Sequence, residues 1–180
     1  MRRLLLWLGL VLGPVLAFEA LAQTVGPVFR RIDVMDGLPA NATSALALDQ
    51  EGYLWIGTRD GLARYDGIGY RTYRYVPGDE GSLQGNYVFA LWVDSKNRVW
   101  VGTEGKGLSM LDTDRRTFLH YRPDTHPLIT NGDVMAVIED RRGNIWFGTY
   151  GGGLYRIDKQ GGLTRFLPKP GNDHSLPSAN

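Results

Sequence analysis

Cysteine is absent from the 180 residues, so no disulfide staples the fold and no thiol serves as nucleophile or metal ligand. Excess charge is absent too, with 20 Lys and Arg against 19 Asp and Glu. No basic patch argues for a nucleic-acid partner, and no long like-charge run argues for a solvated tail. Histidine is scarce: His120 reads as a strand residue, His126 and His174 as turn residues, and none has a neighbour at metal-ligand spacing. What is present is apolar and aromatic content of 43% and 11%, enough for the core of one domain. The 24 glycines follow no collagen period and read as turn chemistry.

The amino terminus stands apart. Arg2-Arg3 precedes an apolar run from Leu4 to Phe18, followed by Ala20-Leu21-Ala22. A positive end, a short apolar segment and a small-x-small site describe a secretory signal peptide, residues 1–22, cut after Ala22. The rival is an uncleaved anchor, but the run is shorter than the ~20 residues that span a bilayer. The Arg pair lacks the polar lead-in and downstream Lys of twin-arginine export. The exported chain starts at Gln23 on this reading and is electrically neutral.

The rest is organised around a phrase that occurs three times: Leu54-Trp55-Ile56-Gly57-Thr58, Val99-Trp100-Val101-Gly102-Thr103 and Ile145-Trp146-Phe147-Gly148-Thr149. An Asp stands six residues before each Trp (Asp49, Asp94, Asp140), and Gly-Leu then apolar-Asp follow each Thr. Repeats of 40-odd residues with several short apolar runs point to a β-propeller. The expected fold is all-β: about three four-stranded blades, at residues 41–85, 86–130 and 131–176. Residues 23–40 are a lead-in, and 177–180 open a further blade. Innermost strands are expected at Ser44–Leu48, Val88–Val93 and Val134–Glu139, followed by the Trp strand, the Gly-Leu strand and an aromatic outer strand. Phe29–Ile32 matches the outer strands Tyr70–Tyr73, Phe118–Tyr121 and Leu163–Phe166, and is expected to complete the last blade of the parent, closing the ring as a stray outer strand. A Leu and then an Asn lead into each repeat: Leu38 and Asn41, Leu83 and Asn86, Leu128 and Asn131.

Each repeated residue has a local reason. Asp49 and Asp140 open turns in which they bond their own backbone, and Gly52, Gly143 and the tolerant Asn97 take positive φ. Gly57, Gly102 and Gly148 follow the Trp, where a side chain would collide with a neighbouring blade or strand. Trp55, Trp100 and Trp146 are plugs between adjacent sheets, each indole N–H seeking a carbonyl. One blade cannot bury both faces, so stacking stabilises the array.

The pattern V-x-A-x-x-x-D-x-x-G-x-x-W-x-G-T-x-x-G-G-L-x-x-x-D, read from Val134 to Asp158, resembles the two-component regulator propeller repeat. Met35–Pro39 and Gly61–Gly67 look like the first blade of such proteins. The resemblance covers residues 29–180. It implies the periplasmic ligand-sensing half of a membrane-bound signalling protein, followed by a membrane helix and a histidine kinase, a diguanylate cyclase or another output. Those parts lie outside these residues, so the chain reads as an amino-terminal fragment whose partners include the remaining blades of its parent and, through that parent, a homodimer.

Chemistry is otherwise sparse. Asp112-x-Asp114 starts like a calcium loop but lacks the Gly and distant Glu. Gly151-Gly152-Gly153 has no P-loop Lys-Ser/Thr after it. No serine sits in a nucleophile elbow. No catalytic residue, metal or cofactor is expected. A quinone-dependent dehydrogenase propeller would space Asp, Gly and Trp four apart, and here both gaps are three (Asp49-Gly52-Trp55). A secreted propeller lyase or hydrolase would need a His/Tyr/Arg cluster on the channel face, for which Arg59, Tyr87 and Tyr150 are the candidates. Turns between the second and third strands supply Arg59, Asp60, Glu104, Lys106 and Tyr150 to one end of the propeller, and the lead-ins supply Asn41, Tyr87 and Asp133. They differ between repeats, as a ligand-reading surface would and as unconstrained turns would. Aromatic turns would suit a small molecule or an oligosaccharide.

Overall fold

The computed structural model describes residues 29–178. The chain divides into residues 1–31 and residues 32–180, and every strand lies in the second unit. The signal segment and Ala179-Asn180 fall outside the described residues.

Twelve strands make three antiparallel sheets, each with its strands in chain order. The first holds β1 (Thr43–Leu48), β2 (Leu54–Thr58), β3 (Gly61–Tyr65) and β4 (Tyr70–Tyr73). The second holds β5 (Val88–Val93), β6 (Val99–Thr103), β7 (Gly107–Leu111) and β8 (Phe118–Tyr121). The third holds β9 (Val134–Glu139), β10 (Ile145–Thr149), β11 (Gly153–Ile157) and β12 (Leu163–Phe166). Short strands joined by tight turns keep every pairing local and give each sheet the same register. Thr43, Val88 and Val134 face Thr58, Thr103 and Thr149, each beside a bulge. The three sheets do not close a ring, so no channel forms among the described residues. No helix among them is long and apolar enough to cross a membrane.

Two cores lie between sheets. Trp55, fully buried, packs with Leu83, Val88, Leu91 and Val101 of the second repeat. Trp100 packs with Val134, Val137, Ile145 and Phe147 of the third. Trp146 was expected in a like position, but it is only half-buried: among the described residues no further sheet lies on its side of the third sheet. The glycines show the same asymmetry. A Cβ at Gly57 would stand 2.6 Å from Val88 Cγ1, and one at Gly102 would stand 2.7 Å from Val134 Cγ1. The expected collision is therefore real at those two positions. At Gly148 a Cβ would meet nothing within 4 Å.

The repeated Asp does more than shape its turn. Asp49 Oδ1 accepts from the Glu51 and Tyr53 amides, and its Oδ2 accepts from Trp55 Nε1 at 2.8 Å. Asp94 and Asp140 hold Trp100 and Trp146 in the same way, each at 2.8 Å. The indole partner is thus a carboxylate and not the expected carbonyl: the turn aims Asp at the neighbouring strand, where an ionised acceptor binds N–H more strongly. These donors hold the Asp140 carboxyl well below the usual carboxylate range, the Trp146 indole first and the Asn144 side chain next. The turn residues behave as read, with φ of +88° at Gly52, +77° at Gly143 and +61° at Asn97.

A guanidinium lies over each indole. Arg98 covers Trp100 and pairs with Asp94 at 2.6 Å, while Arg156 covers Trp146. Arg115 reaches back from the second repeat to cover Trp55 and meets Asp49 Oδ2 at 3.4 Å.

One expectation fails. Phe29–Ile32 is in no strand here, and the last blade of the parent, which it was expected to complete, lies outside these residues. In the third lead-in the buried anchor is Ile129, 1% exposed, while Leu128 is 49% exposed. Gly132, not Asn131, holds the place of Asn86, since its carbonyl takes the Gly107 amide as Asn86 takes that of Gly61.

Candidate ligand-binding face

The turns after the Trp strands and the lead-ins to the inner strands meet at one end of the sheets. Within a repeat, the Arg59, Glu104 and Tyr150 amides donate to the carbonyls of Ala42, Tyr87 and Asp133. Between repeats, the Gly61 and Gly107 amides donate to the carbonyls of Asn86 and Gly132. Gly132 has no room for a side chain here, since a Cβ would stand 2.5 Å from the Gly105 carbonyl carbon.

This stitching occupies three of the sequence candidates. Asp60 pairs with Arg74 at 3.0 Å and accepts from Asn86 Nδ2. Asp133 Oδ1 accepts the Gly105 amide at 2.6 Å. Asn41 Oδ1 accepts the Val34 amide at 3.0 Å, fastening the 3-10 turn Val34–Asp36. The other candidates offer their ends to solvent. Arg59 lies over the Tyr87 ring, which also packs on Phe89 with centroids 4.5 Å apart. Glu104, Lys106 and Tyr150 are exposed.

The structure brings Tyr87, Glu104 and Lys106 together around a hollow of about 230 Å³ with Tyr75, Gln84 and Asn86. A second hollow of about 250 Å³, lined by Gln84, Gly105, Lys106, Arg122 and Asp124, shares Lys106 and Gln84 with it. Small-molecule sites are usually ~300–1,000 Å³, a range the two reach only jointly. Asn41, Arg59, Asp60, Asp133 and Tyr150 do not line either hollow.

Sequence reasoning missed Tyr75, Gln84 and Arg122. Gln84 sits beside the Leu83 anchor and looks like lead-in, and Tyr75 and Arg122 follow outer strands, away from the expected channel. Arg122 is held rigidly by Gln84 Oε1 at 2.8 Å, Glu80 at 3.0 Å and Asp124 at 3.1 Å. Beneath it, His120 Nδ1 lies 2.9 Å from Ser109 Oγ, and its Nε2 lies 2.9 Å from the Glu80 carbonyl. Burial holds the His120 pKa below the ordinary imidazole value. The set offers two phenol rings, an amide pair and charges of both signs. No group of His, Asp and Glu among the described residues could hold a metal ion.

Comparison with known proteins agrees with the repeat. The family model for the two component regulator propeller matches at residues 37–60, 82–105 and 128–151. A histidine kinase of Formosa agariphila is 37% identical over 73 residues, 41% of this chain and 5% of that protein. The extracellular domain of a hybrid two component system from B. thetaiotaomicron superposes with a TM-score of 0.72 at 24% identity, over 83% of this chain and 21% of that one. Virginiamycin B lyase from Staphylococcus aureus does so with 0.55 at 20% identity, over 72% and 43%. At these identities the two structural likenesses speak for the fold. The chain spans a small part of the kinase and of the two component system domain.

Proposed function

The chain is built from three repeats of the two-component regulator propeller family, and from that premise we propose that it is a ligand-sensing region of a membrane-bound signal-transduction protein, working outside the cytoplasm. The threefold family match carries this reading. The identity with a histidine kinase and the likeness to an extracellular two component domain support it. Export is in keeping with the amino-terminal pattern Arg2-Arg3, apolar run, Ala20-x-Ala22.

The proposed ligand is a polyhydroxylated small molecule or oligosaccharide, taken by the paired hollows around Lys106. Tyr75 and Tyr87 offer faces for the apolar side of a sugar ring, and Gln84, Asn86, Glu104 and Lys106 offer hydrogen bonds to hydroxyls. The site carries out no chemistry; occupancy is its output, read by the rest of the protein.

The test is a thermal-shift screen of the purified chain against neutral, acidic and amino oligosaccharides, with amino-terminal sequencing of the exported material. Saturable stabilisation by one class and a start at Gln23 are expected. A chain that begins at Met1 overturns the export reading, and the absence of any saturable stabilisation across the panel overturns the ligand class.

A further inference from the structure

Two arginines of the first sheet stand side by side without a counter-charge. Arg64 of β3 is the cross-strand partner of Trp55, and Arg71 of β4 is the cross-strand partner of Arg64. Both therefore lie on the face that carries Trp55 towards the second sheet. Residues directly opposed in a strand pair have Cβ atoms ~4.5–5.5 Å apart, and like charges so placed repel. The other sheets avoid this arrangement. The same two positions hold Met110 and Leu119 in the second sheet. In the third they hold Arg156 and Thr164, and the guanidinium donates to the Thr164 hydroxyl at 3.4 Å.

Packing fixes where these cations lie. The Arg64 guanidinium sits 4.3 Å from the centre of the Tyr53 ring, and that of Arg71 sits 5.0 Å from the centre of Tyr73. Among the described residues neither has an ion pair, and Arg64 Nε is buried with no acceptor. Arg115 reaches the same place from the second sheet. It is 5% exposed, and its Nε and Nη1 are likewise buried without acceptors. Burial raises the Tyr73 pKa, and the Arg71, Arg64 and Arg115 charges oppose that rise, which places all three around one phenol.

The neighbouring carboxylates are already used. Asp49 spends Oδ1 on the Glu51 and Tyr53 amides and Oδ2 on Trp55 and Arg115. Asp66, in the turn between β3 and β4, spends Oδ1 on the Ile68 and Gly69 amides. Asp49 offsets Arg115, and the charges of Arg64 and Arg71 are left over.

From this uncompensated pair we infer an anion-binding site at the outer edge of the joint between the first and second sheets, formed by Arg64 and Arg71 with Arg115 and Tyr73 behind them. Its ligand is an oxyanion, the phosphate, sulfate or carboxylate group of a soluble molecule. Guanidiniums side by side offer forked N–H donors to two oxygens of such a group, a geometry that Lys cannot supply. Both side chains already rest on aromatic rings, so binding costs them little rotamer freedom. The site is separate from the Lys106 hollows. Arg64 and Arg71 lie at the Trp55 end of the first sheet, whereas Lys106 follows the opposite, Thr103 end of β6. The inference therefore does not depend on a sugar binding there.

The test is calorimetric and thermal-shift titration of the purified mature chain with inorganic phosphate, sodium sulfate and sodium acetate, each against sodium chloride at constant ionic strength. Two variants are compared with the parent. Arg64→Met/Arg71→Leu installs the pair that the second sheet carries at these positions, and Arg71→Gln changes one exposed residue. The parent should bind at least one of the three anions saturably, with a saturable rise in its thermal midpoint. Affinity should fall about tenfold or more in Arg71→Gln and be lost in the double variant. The anion that binds most tightly names the group. A parent that responds to none of the three beyond chloride overturns the inference. Equal affinities in the parent and Arg71→Gln overturn the assignment to these arginines, even where the double variant does not fold. Arginines that serve only to cover Tyr53 and Tyr73 would leave every titration flat and make both variants less stable in chloride, which also overturns the inference.

Discussion

Replacing Trp100 by Ala should be the most damaging single truncation in the middle sheet. The indole is 1% exposed and fills the space between the second and third sheets, against Val134, Val137 and Ile145. Large aromatic truncations in cores cost ~3–5 kcal/mol, because the cavity does not fully collapse. Asp94, itself 2% exposed, also loses the indole N–H that it accepts at 2.8 Å. It keeps the Lys96 and Arg98 amides and the Arg98 guanidinium, so that loss adds only about 1 kcal/mol. The expected total is about 4–6 kcal/mol, read from urea midpoints at constant slope. Trp100→Phe separates the parts, since it restores most of the volume without the donor and should cost about 1–2 kcal/mol. Trp146→Ala should cost about half as much as Trp100→Ala because only part of its surface is removed from water. A Trp100→Ala loss within ~0.5 kcal/mol, the range of surface changes, would refute the packing argument, as would equal costs at Trp100 and Trp146.

Gly102→Val should destabilise by roughly 1–3 kcal/mol or prevent folding, since its Cβ would stand 2.8 Å from the Val134 carbonyl oxygen, backbone that cannot rotate away; the same change at Gly148, where a Cβ meets nothing within 4 Å, should leave the denaturation midpoint unaltered. His120 gives a pH signature. Its folded-state pKa lies below the unfolded value of about 6.5, so its contribution is intact above that value and is lost as pH falls through the folded pKa. The urea midpoint should fall between pH 7.5 and 5, and His120→Gln should flatten the fall; an identical fall in the variant would remove His120 as its source.

Much of the fold was legible because its signals are local and recur. An Asp-turn-Trp unit specifies its hairpin through contacts within six residues, as Asp49 and Trp55 show. The inner strands at Val88–Val93 and Val134–Glu139 follow from β-branched and apolar runs between turn residues. What escaped was non-local. The Asp carboxylate as the indole partner depends on how a turn points its side chain. The half-exposure of Trp146 depends on what does not pack against it. The shift from Leu128 to Ile129 follows from a one-residue displacement of the third lead-in, which spacing alone conceals. At the candidate site, Tyr87, Glu104 and Lys106 were readable as variable turn residues, but Tyr75 joins them from the end of β4 and Arg122 from the end of β8, with Gln84 between, through packing that spacing does not reveal.

The measurement that bears most directly on the sensing account is calorimetric titration of the best ligand from the oligosaccharide screen into the parent chain, Tyr87→Ala, Lys106→Ala and a control at the opposite turns, Lys159→Ala. Removing a stacking ring or a charged hydrogen bond from the hollow should weaken binding by about tenfold or more, the equivalent of about 1.4 kcal/mol. Lys159→Ala should bind like the parent. Binding that persists unchanged in both Tyr87→Ala and Lys106→Ala, or that is lost in Lys159→Ala, would contradict the account.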